Sequence, residues 1–310
     1  MSEKTIAAAG AIVKKARQNE IVYLPNEWQI DLEDLDELVF KRRSDLVLKP
    51  SAHLNDDRAM SEEEMDKLTR LKYVKKLDLG YCRNLSFKPL ADMKRLTYLN
   101  LWGAKSGLDI SFIEELSALD TLYIQGKIKT LKPIETCRGL KFLYLSTRIN
   151  NFDFIKPLDK IEKLCIDYCA STNDFAYLNK PSLKALSITQ VKALENIDSL
   201  SEFQYLEALA LSASRIKKLP DMSALCNLRV LELKGMASLE NIEALKTIPK
   251  LERLSLQEIN TKIKAEEFYF LAEINSLKEV DTRFLDLNKG RIKKITDHFI
   301  KRQKAELLKR

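Results

Sequence analysis

Residues 206–233 read LEALALSASRIKKLPDMSALCNLRVLEL, and this stretch decides the fold. Apolar side chains at Leu209 and Leu211 alternate with outward positions, which predicts a strand over residues 208–212. The apolar spacing then widens to three, which predicts a tight 3₁₀-like or extended return path before the pattern restarts at Leu231. One such unit of about 22 residues buries too few side chains to offset the entropy of ordering its backbone, so it must stack on neighbouring units.

The same pattern recurs along most of the chain. At steps of 21 to 23 residues, the first strand leucine falls at Leu77, Leu99, Leu122, Leu143, Leu164, Leu186, Leu209, Leu231 and Leu254, and a looser step reaches Val280. From Leu77 to Leu254, the residue two positions further on is Leu or Ile each time. This period predicts a solenoid of about nine or ten repeats over residues 67–287.

The frame L-x-x-L-x-x-L-x-L over about residues 68–280 resembles the leucine-rich repeat family. It is most similar to the 22-residue class found in a regulator of type-one protein phosphatase and in bacterial internalins. The resemblance implies a curved α/β solenoid, with a parallel concave sheet and short 3₁₀, helical or extended convex segments. The family's turn asparagine is replaced here by residues such as Cys82, Lys127 and Met236, so we expect apolar packing to hold the turns. A fold of this kind says little about function.

Residues 1–66 are expected to form an N-terminal cap. Apolar spacing predicts a helix over residues 4–17 with Ile6 on its apolar face, and a short strand over residues 21–24. Leu32, Leu35, Leu38 and Phe40 match the repeat frame, which suggests a divergent first repeat. An insertion should follow, with a loop over residues 49–57 and a helix opened by a capping box of Ser61 and Glu64.

Residues 288–310 predict a basic amphipathic helix that caps the other end. They carry nine Lys and Arg against two acidic residues, which leaves 43 basic and 43 acidic residues in the rest of the chain. The tail therefore accounts for the whole formal charge of +7. Ile292, Ile295, Phe299 and Ile300 share one helical face, so the charges are expected to form a solvated outer face. Recruitment to nucleic acid or to an anionic membrane through this tail stays open as the alternative.

The sequence offers little for catalysis. His53 and His298 are the two histidines, and no glycine-rich phosphate-binding motif occurs. Five scattered cysteines, without a metal-ligand spacing, predict a reduced compartment; Cys165 should face the concave side and Cys169 should be buried at a turn. The first sixteen residues do not resemble a signal peptide, and no apolar run is long enough to span a membrane. We therefore expect a cytoplasmic protein that is no enzyme and holds no cofactor or metal.

The outward-facing strand positions predict the binding site. Five aromatic residues fall on three adjacent strands, and two strands of small residues and a charged end follow further along the chain. Aromatic residues favour strands in any case, but a contiguous exposed patch usually marks an interaction surface. The predicted partner-binding residues are Tyr98, Asn100, Trp102, Tyr123, Gln125, Phe142, Tyr144, Asp167, Glu232, Lys234 and Arg253.

These features together predict a non-enzymatic protein-binding scaffold that recognises another protein on its concave face. A more specific form of this function is a bacterial immunity or antitoxin-like inhibitor. We expect no small-molecule substrate, a protein partner in preference to nucleic acid or a membrane, and a chain that is monomeric alone.

Overall fold

The computed structural model describes residues 3–23, 32–50, 61–80, 86–102, 107–169, 175–191, 194–286 and 289–309. The chain divides into two compact units, Met1–Thr147 and Arg148–Arg310. Most of the predicted loop after Lys49, His53 and the turn at Cys82 lie outside the described residues, as does the side chain of Cys169.

The first unit is built on a parallel sheet. Its described helical segments are α1 (Glu3–Lys15), α2 (Leu32–Leu35), a π-helical turn at Asp36–Phe40, and α3 (Glu62–Thr69). Its strands are β1 (Ile21–Tyr23), β2 (Val47–Lys49), β3 (Lys76–Leu79), β4 (Tyr98–Trp102), β5 (Thr121–Gln125) and β6 (Phe142–Ile149). The last two residues of β6 belong to the second unit. Each strand pairs in parallel with the next along the chain.

The second unit has the same organisation. Its described strands are β7 (Lys163–Cys169), β8 (Ala185–Thr189), β9 (Ala208–Ser212), β10 (Val230–Lys234), β11 (Arg253–Gln257) and β12 (Glu279–Asp281), and the helix α4 (Lys289–Lys301) follows them. These strands also pair in parallel in chain order. Each unit is therefore a stretch of repeat solenoid, as the sequence predicts.

Strand alternation follows the predicted period. In β4, β5, β8 and β9 the burial pattern is half-buried, buried, half-buried, buried, half-buried. All nine repeat leucines from Leu77 to Leu254, and Val280 after them, are at most 2% exposed. Because side chains alternate between the two faces of a strand, burying these positions turns the intervening ones outward.

Short 3₁₀ segments return the chain from most strands to the next. They lie at Lys88–Asp92, Ser111–Glu115, Lys132–Thr136, Asp153–Ile155, Phe175–Leu178, Asp198–Glu202, Glu243–Thr247 and Ala265–Glu273. Between β9 and β10, residues 213–229 contain turns and no helix. The return path was predicted to be either 3₁₀-like or extended, and both forms occur.

The N-terminal segment departs from the prediction in one respect. The match to the repeat frame at Leu32–Phe40 does not produce a strand there, because these residues form α2 and the π-helical turn. The sheet instead continues through β2, whose Leu48 pairs with Leu77 of β3. The capping box of Ser61 and Glu64 opens α3 as predicted. In α1, the side chain of Ile6 is 50% exposed, so the apolar face expected there is only partly covered.

A buried carboxylate ties this segment to the first repeat. Asp36 is 3% exposed and accepts hydrogen bonds from the backbone N–H groups of Lys72, Tyr73 and Val74. Backbone donors of this kind satisfy a buried charge. The π-helical turn is therefore fixed to the chain that leads into β3.

Helix α4 packs on the 3₁₀ segment at Ala265–Glu273, which leads into β12. Ile295 and Phe299 are fully buried, as predicted. Ile300 is 56% exposed, so its assignment to the buried face was wrong. Arg291 also contradicts the expectation of an entirely solvated basic face, because it is 6% exposed.

Candidate functional site

The aromatic cluster, defined as Tyr98, Trp102, Tyr123, Phe142 and Tyr144, lies on the outward face of β4, β5 and β6. Parallel pairing places Tyr123 level with Tyr144, and Trp102 level with Gln125. All five aromatic side chains are half-buried. The five residues therefore share one face of the sheet, as predicted, but they are half-buried where the sequence predicted an exposed patch.

Tyr123 is the hub of this cluster. Its ring centroid lies 5.5 Å from that of Tyr98, 4.8 Å from that of Phe142 and 5.8 Å from that of Tyr144. The ring planes are tilted by 33° to 49°, within the range that aromatic pairs favour. The rings therefore cover part of each other, which explains their intermediate exposure and holds them in fixed positions.

Burial raises the pKa of Tyr98 far above its usual range, and the nearby Asp78 carboxylate and Tyr123 add to this effect. The phenol of Tyr98, like that of an ordinary tyrosine, is neutral at physiological pH. The cluster offers aromatic rings and uncharged hydroxyl groups.

A polar group borders the aromatic cluster. Asn100 donates a hydrogen bond to Asp78 at 3.1 Å, and Lys49 forms an ion pair with the same carboxylate at 3.4 Å. Asp78 is 5% exposed and also accepts a hydrogen bond from the backbone N–H of Gly80. Asn100 is therefore held in place beside Tyr98. Sequence reasoning missed Lys49, because β2 was not predicted.

The remaining predicted site residues lie in the second unit. Asp167 accepts a hydrogen bond from Thr189, and Gln257 donates one to Glu232 at 3.4 Å. The side chains of Lys234 and Arg253 are exposed. These residues line the outward faces of β7, β10 and β11.

The surroundings of Cys165 disfavour its thiolate form. Burial raises the pKa of its thiol; Lys163 works in the opposite direction, and Asp167 adds to the rise. A raised pKa keeps the thiol protonated, whereas nucleophilic cysteines are thiolates. Among the residues that the structure describes, no group of three His, Cys, Asp or Glu side chains could hold a metal ion.

The basic tail is largely paired. Arg291, Lys293, Lys294, Arg302 and Lys309 form ion pairs with acidic side chains, at 2.5 to 3.6 Å. Lys289, Lys301 and Lys304 form no ion pair with other described residues. In the described part of the chain, no helix is long and apolar enough to cross a membrane.

Solved structures of repeat proteins share this architecture. An internalin, inlF from Listeria monocytogenes, is 16% identical, with 90% of this chain and 88% of that chain covered and a TM-score of 0.50. InlJ from the same organism is 19% identical, with 84% and 57% covered and a TM-score of 0.51. TLR13, in a complex with ssRNA13, is 20% identical, with 84% and 39% covered and a TM-score of 0.58. No protein-family model matches the chain, and no curated protein matches it.

The likenesses to solved structures concern the fold. Together with the 22-residue period and the parallel sheets, they show that this chain has the leucine-rich repeat fold.

Proposed function

We propose that this chain is a non-enzymatic scaffold that binds a partner protein through the outward faces of its strands, with the aromatic cluster as the anchor. The observation that carries the proposal is the convergence of Tyr98, Phe142 and Tyr144 on Tyr123. Aromatic side chains supply most of the binding energy in many interfaces, since they bring large contact areas with few rotatable bonds. Rings that already support one another lose little further freedom on binding.

The surroundings of the cluster favour a protein partner. Gln125 and Ser146 are half-buried polar side chains on the same faces of β5 and β6, and the neighbouring Asp78 carboxylate is already paired with Lys49. Aromatic residues mixed with small hydrogen-bonding residues are typical of protein-binding surfaces. Because the face has few unpaired charges, contact area and hydrogen bonds should dominate its binding energy.

The proposal is tested on the protein recovered by affinity purification from the native host. Replacing Trp102 or Tyr144 by Ala should weaken its binding by at least about thirtyfold, or about 2 kcal/mol. Tyr205 is a matched control, because it is 38% exposed but lies in the turn before β9. Tyr205→Ala should leave the affinity unchanged. Unchanged binding by the double variant Trp102→Ala/Tyr144→Ala would contradict the proposed site.

Thermal unfolding of the same variants separates binding from packing. Leu145 is fully buried, so Leu145→Ala should cost about 2–5 kcal/mol of stability. Tyr144 contacts Tyr123 but stays half-buried, so Tyr144→Ala should cost clearly less. If it destabilised the chain as much as Leu145→Ala, the ring would be a packing residue and not an anchor.

A bacterial immunity or antitoxin-like inhibitor remains the more specific form of this proposal. Its test is whether the recovered partner is a toxin that the intact chain neutralises. The variant Trp102→Ala/Tyr144→Ala should then fail to neutralise it.

Recruitment through the basic tail is the competing function. Five basic residues of the tail form ion pairs with acidic side chains. This pairing favours a structural role for most of the positive charge of the tail. Single-stranded RNA and anionic vesicles are the direct probes. Binding of either that is lost in Lys289→Ala/Lys301→Ala/Lys304→Ala, with unchanged unfolding, would favour recruitment over the scaffold.

A further inference from the structure

One position of the repeat repeatedly adopts a positive φ angle. It follows the third outward residue of a strand, and its described examples are Gly126, Tyr168, Gln190, Gly235 and Glu258. Glycine adopts such angles readily, whereas a β-carbon makes them unfavourable. Non-glycine residues therefore occupy this position against their local preference three times.

The repeat does not impose this conformation, because Thr147 and Ala213 occupy the same position without a positive φ angle. Gly126, Gly235 and Glu258 each donate their N–H to a carbonyl of the following repeat, at 2.8 to 3.0 Å. Glycine adopts the positive φ angle with the least strain, as at Gly126 and Gly235.

The three non-glycine side chains project outward from the second unit. Tyr168 is 52% exposed, and Gln190 and Glu258 are also exposed. None of the three is therefore retained to fill the core. Unfavourable backbone angles at residues that do not pack in the core are characteristic of functional positions.

We propose that Tyr168, Gln190 and Glu258 form a second partner-contacting surface, here called the rim, at the carboxyl end of the sheet in the second unit. The inference rests on the proposed function, since it extends the outward faces that carry Asp167, Glu232 and Lys234. Tyr168 and Glu258 stand four repeats apart, so the rim spans about 19 Å. About six residues of an extended segment cover that length.

The chemistry of the rim identifies the kind of segment it takes. Glu258 forms no ion pair with any basic residue that the structure describes, so its carboxylate is available to a cation. Gln190 both donates and accepts hydrogen bonds. The ring of Tyr168 can stack on a guanidinium group. The rim therefore fits a protein segment that carries arginine or lysine side chains.

Glycine substitutions test the rim without disturbing the backbone. Tyr168→Gly and Glu258→Gly should keep the unfolding midpoint of the full chain, because the strain they release offsets the extra freedom of glycine in the unfolded state. Each should weaken binding of the partner recovered with the intact chain by about tenfold. Glu258→Gln should weaken it by a smaller factor that disappears at high salt. Gln303→Gly is the matched control, because Gln303 also has a positive φ but follows α4, away from the rim.

The outcomes separate this inference from the proposed function. If Trp102→Ala/Tyr144→Ala loses binding while all rim variants keep it, the rim is wrong and the scaffold stands. If Gln303→Gly weakens binding as much as Tyr168→Gly, the effect is not specific to the rim, and the inference also fails. A large fall in the unfolding midpoint of Tyr168→Gly would show that the tyrosine is kept for packing, which would overturn the argument from strain.

Discussion

The side chain of Arg291 binds backbone carbonyl groups and is not exposed to solvent. Its guanidinium donates hydrogen bonds to the carbonyl oxygens of Ile259, Asn260 and Ile263, and it forms an ion pair with Asp286. Burial lowers the pKa of Arg291, and Asp286 acts in the opposite direction. Because the planar guanidinium offers five donors, one side chain can satisfy several carbonyls and a carboxylate together. Arg291 thus fixes α4 to the loop that follows β11.

Removing Arg291 should therefore destabilise the chain strongly. Arg291→Met leaves the Asp286 carboxylate buried without its partner, and we expect a loss of about 3–5 kcal/mol in the free energy of unfolding, measured with urea. The double variant Arg291→Met/Asp286→Leu should lose clearly less than the sum of the single variants, because it removes both charges. Additive losses would show that the ion pair contributes little.

The sequence could not have predicted this role for Arg291. Helical periodicity assigns residues to faces, and Arg291 was counted among the solvated charges of the tail. The carbonyls it binds lie 28 to 32 residues earlier in the chain. Periodicity contains no information about which loop runs past a helix. Lys49 was missed for a related reason, since its partner Asp78 lies 29 residues away on a neighbouring strand.

Among the elements, strands were predicted well where the repeat is regular. A period of two, repeated about every 22 residues, distinguishes a strand from a helix, and it also placed the aromatic cluster on the outward face. The frame failed at Leu32, Leu35 and Leu38, whose spacing of three suits a helical turn equally well. The neighbouring β2 is only three residues long, too short for alternation to show. The rim was also missed, because side-chain patterning does not report φ angles.

The C-terminal segment closes the sheet of the second unit in two ways. Helix α4 buries Ile295 and Phe299. Beyond it, Leu308 bridges to Val280 of β12, and the N–H of Lys309 donates to the Val280 carbonyl. A covered edge strand cannot pair with another chain.

Two truncations should separate these contributions. Removing residues 288–310 should lower the melting temperature and cause aggregation, because it uncovers both apolar surface and the edge of β12. Removing only residues 303–310 should cause a smaller fall in melting temperature but still promote self-association. Light scattering and thermal unfolding measure the two effects. A shorter truncation that stays monomeric at high concentration would contradict the protective role of the last residues.

The attachment of α4 should also depend on pH. His298 stacks on Tyr269 with ring centroids 3.9 Å apart, and burial lowers its pKa, with Arg302 and Lys301 acting in the same direction and Glu273 against it. A lowered pKa means that the unfolded chain binds the proton more readily. Stability should therefore fall as the pH drops below about 6.5, and the loss should be complete below the folded-state pKa.

The variant His298→Phe keeps an aromatic ring and removes the titration. Urea unfolding at about pH 7.5 and 5.5 should show a larger loss for the wild-type chain than for this variant. Carboxylates with lowered pKa values, such as Asp281 beside Arg283, titrate at lower pH and should affect both proteins equally. Equal losses for the two proteins would exclude His298 as the source.

At the scale of the molecule, many acidic and basic side chains of neighbouring repeats form ion pairs with each other. Along the amino-terminal ends of the strands in the second unit, acidic and basic residues alternate from repeat to repeat, as Glu162, Lys184, Glu207, Arg229, Glu252 and Lys278. Ion pairs join Lys184 to Glu207 at 3.7 Å, and Glu252 to Arg229 and Lys278 at 2.8 and 2.9 Å. Such exposed pairs add little stability individually, but each offsets charges that could otherwise attract a partner.

Binding of the protein partner should consequently depend only weakly on salt. Between about 50 and 500 mM salt we expect its affinity to change by less than about tenfold, because the aromatic cluster is uncharged and the rim supplies one carboxylate. A nucleic acid that contacted about six phosphates would lose about five orders of magnitude over the same range. Titrations of the intact chain and of Trp102→Ala/Tyr144→Ala across this range decide between the two. A steep salt dependence that is the same in both proteins would locate binding on the basic surface and not on the aromatic cluster.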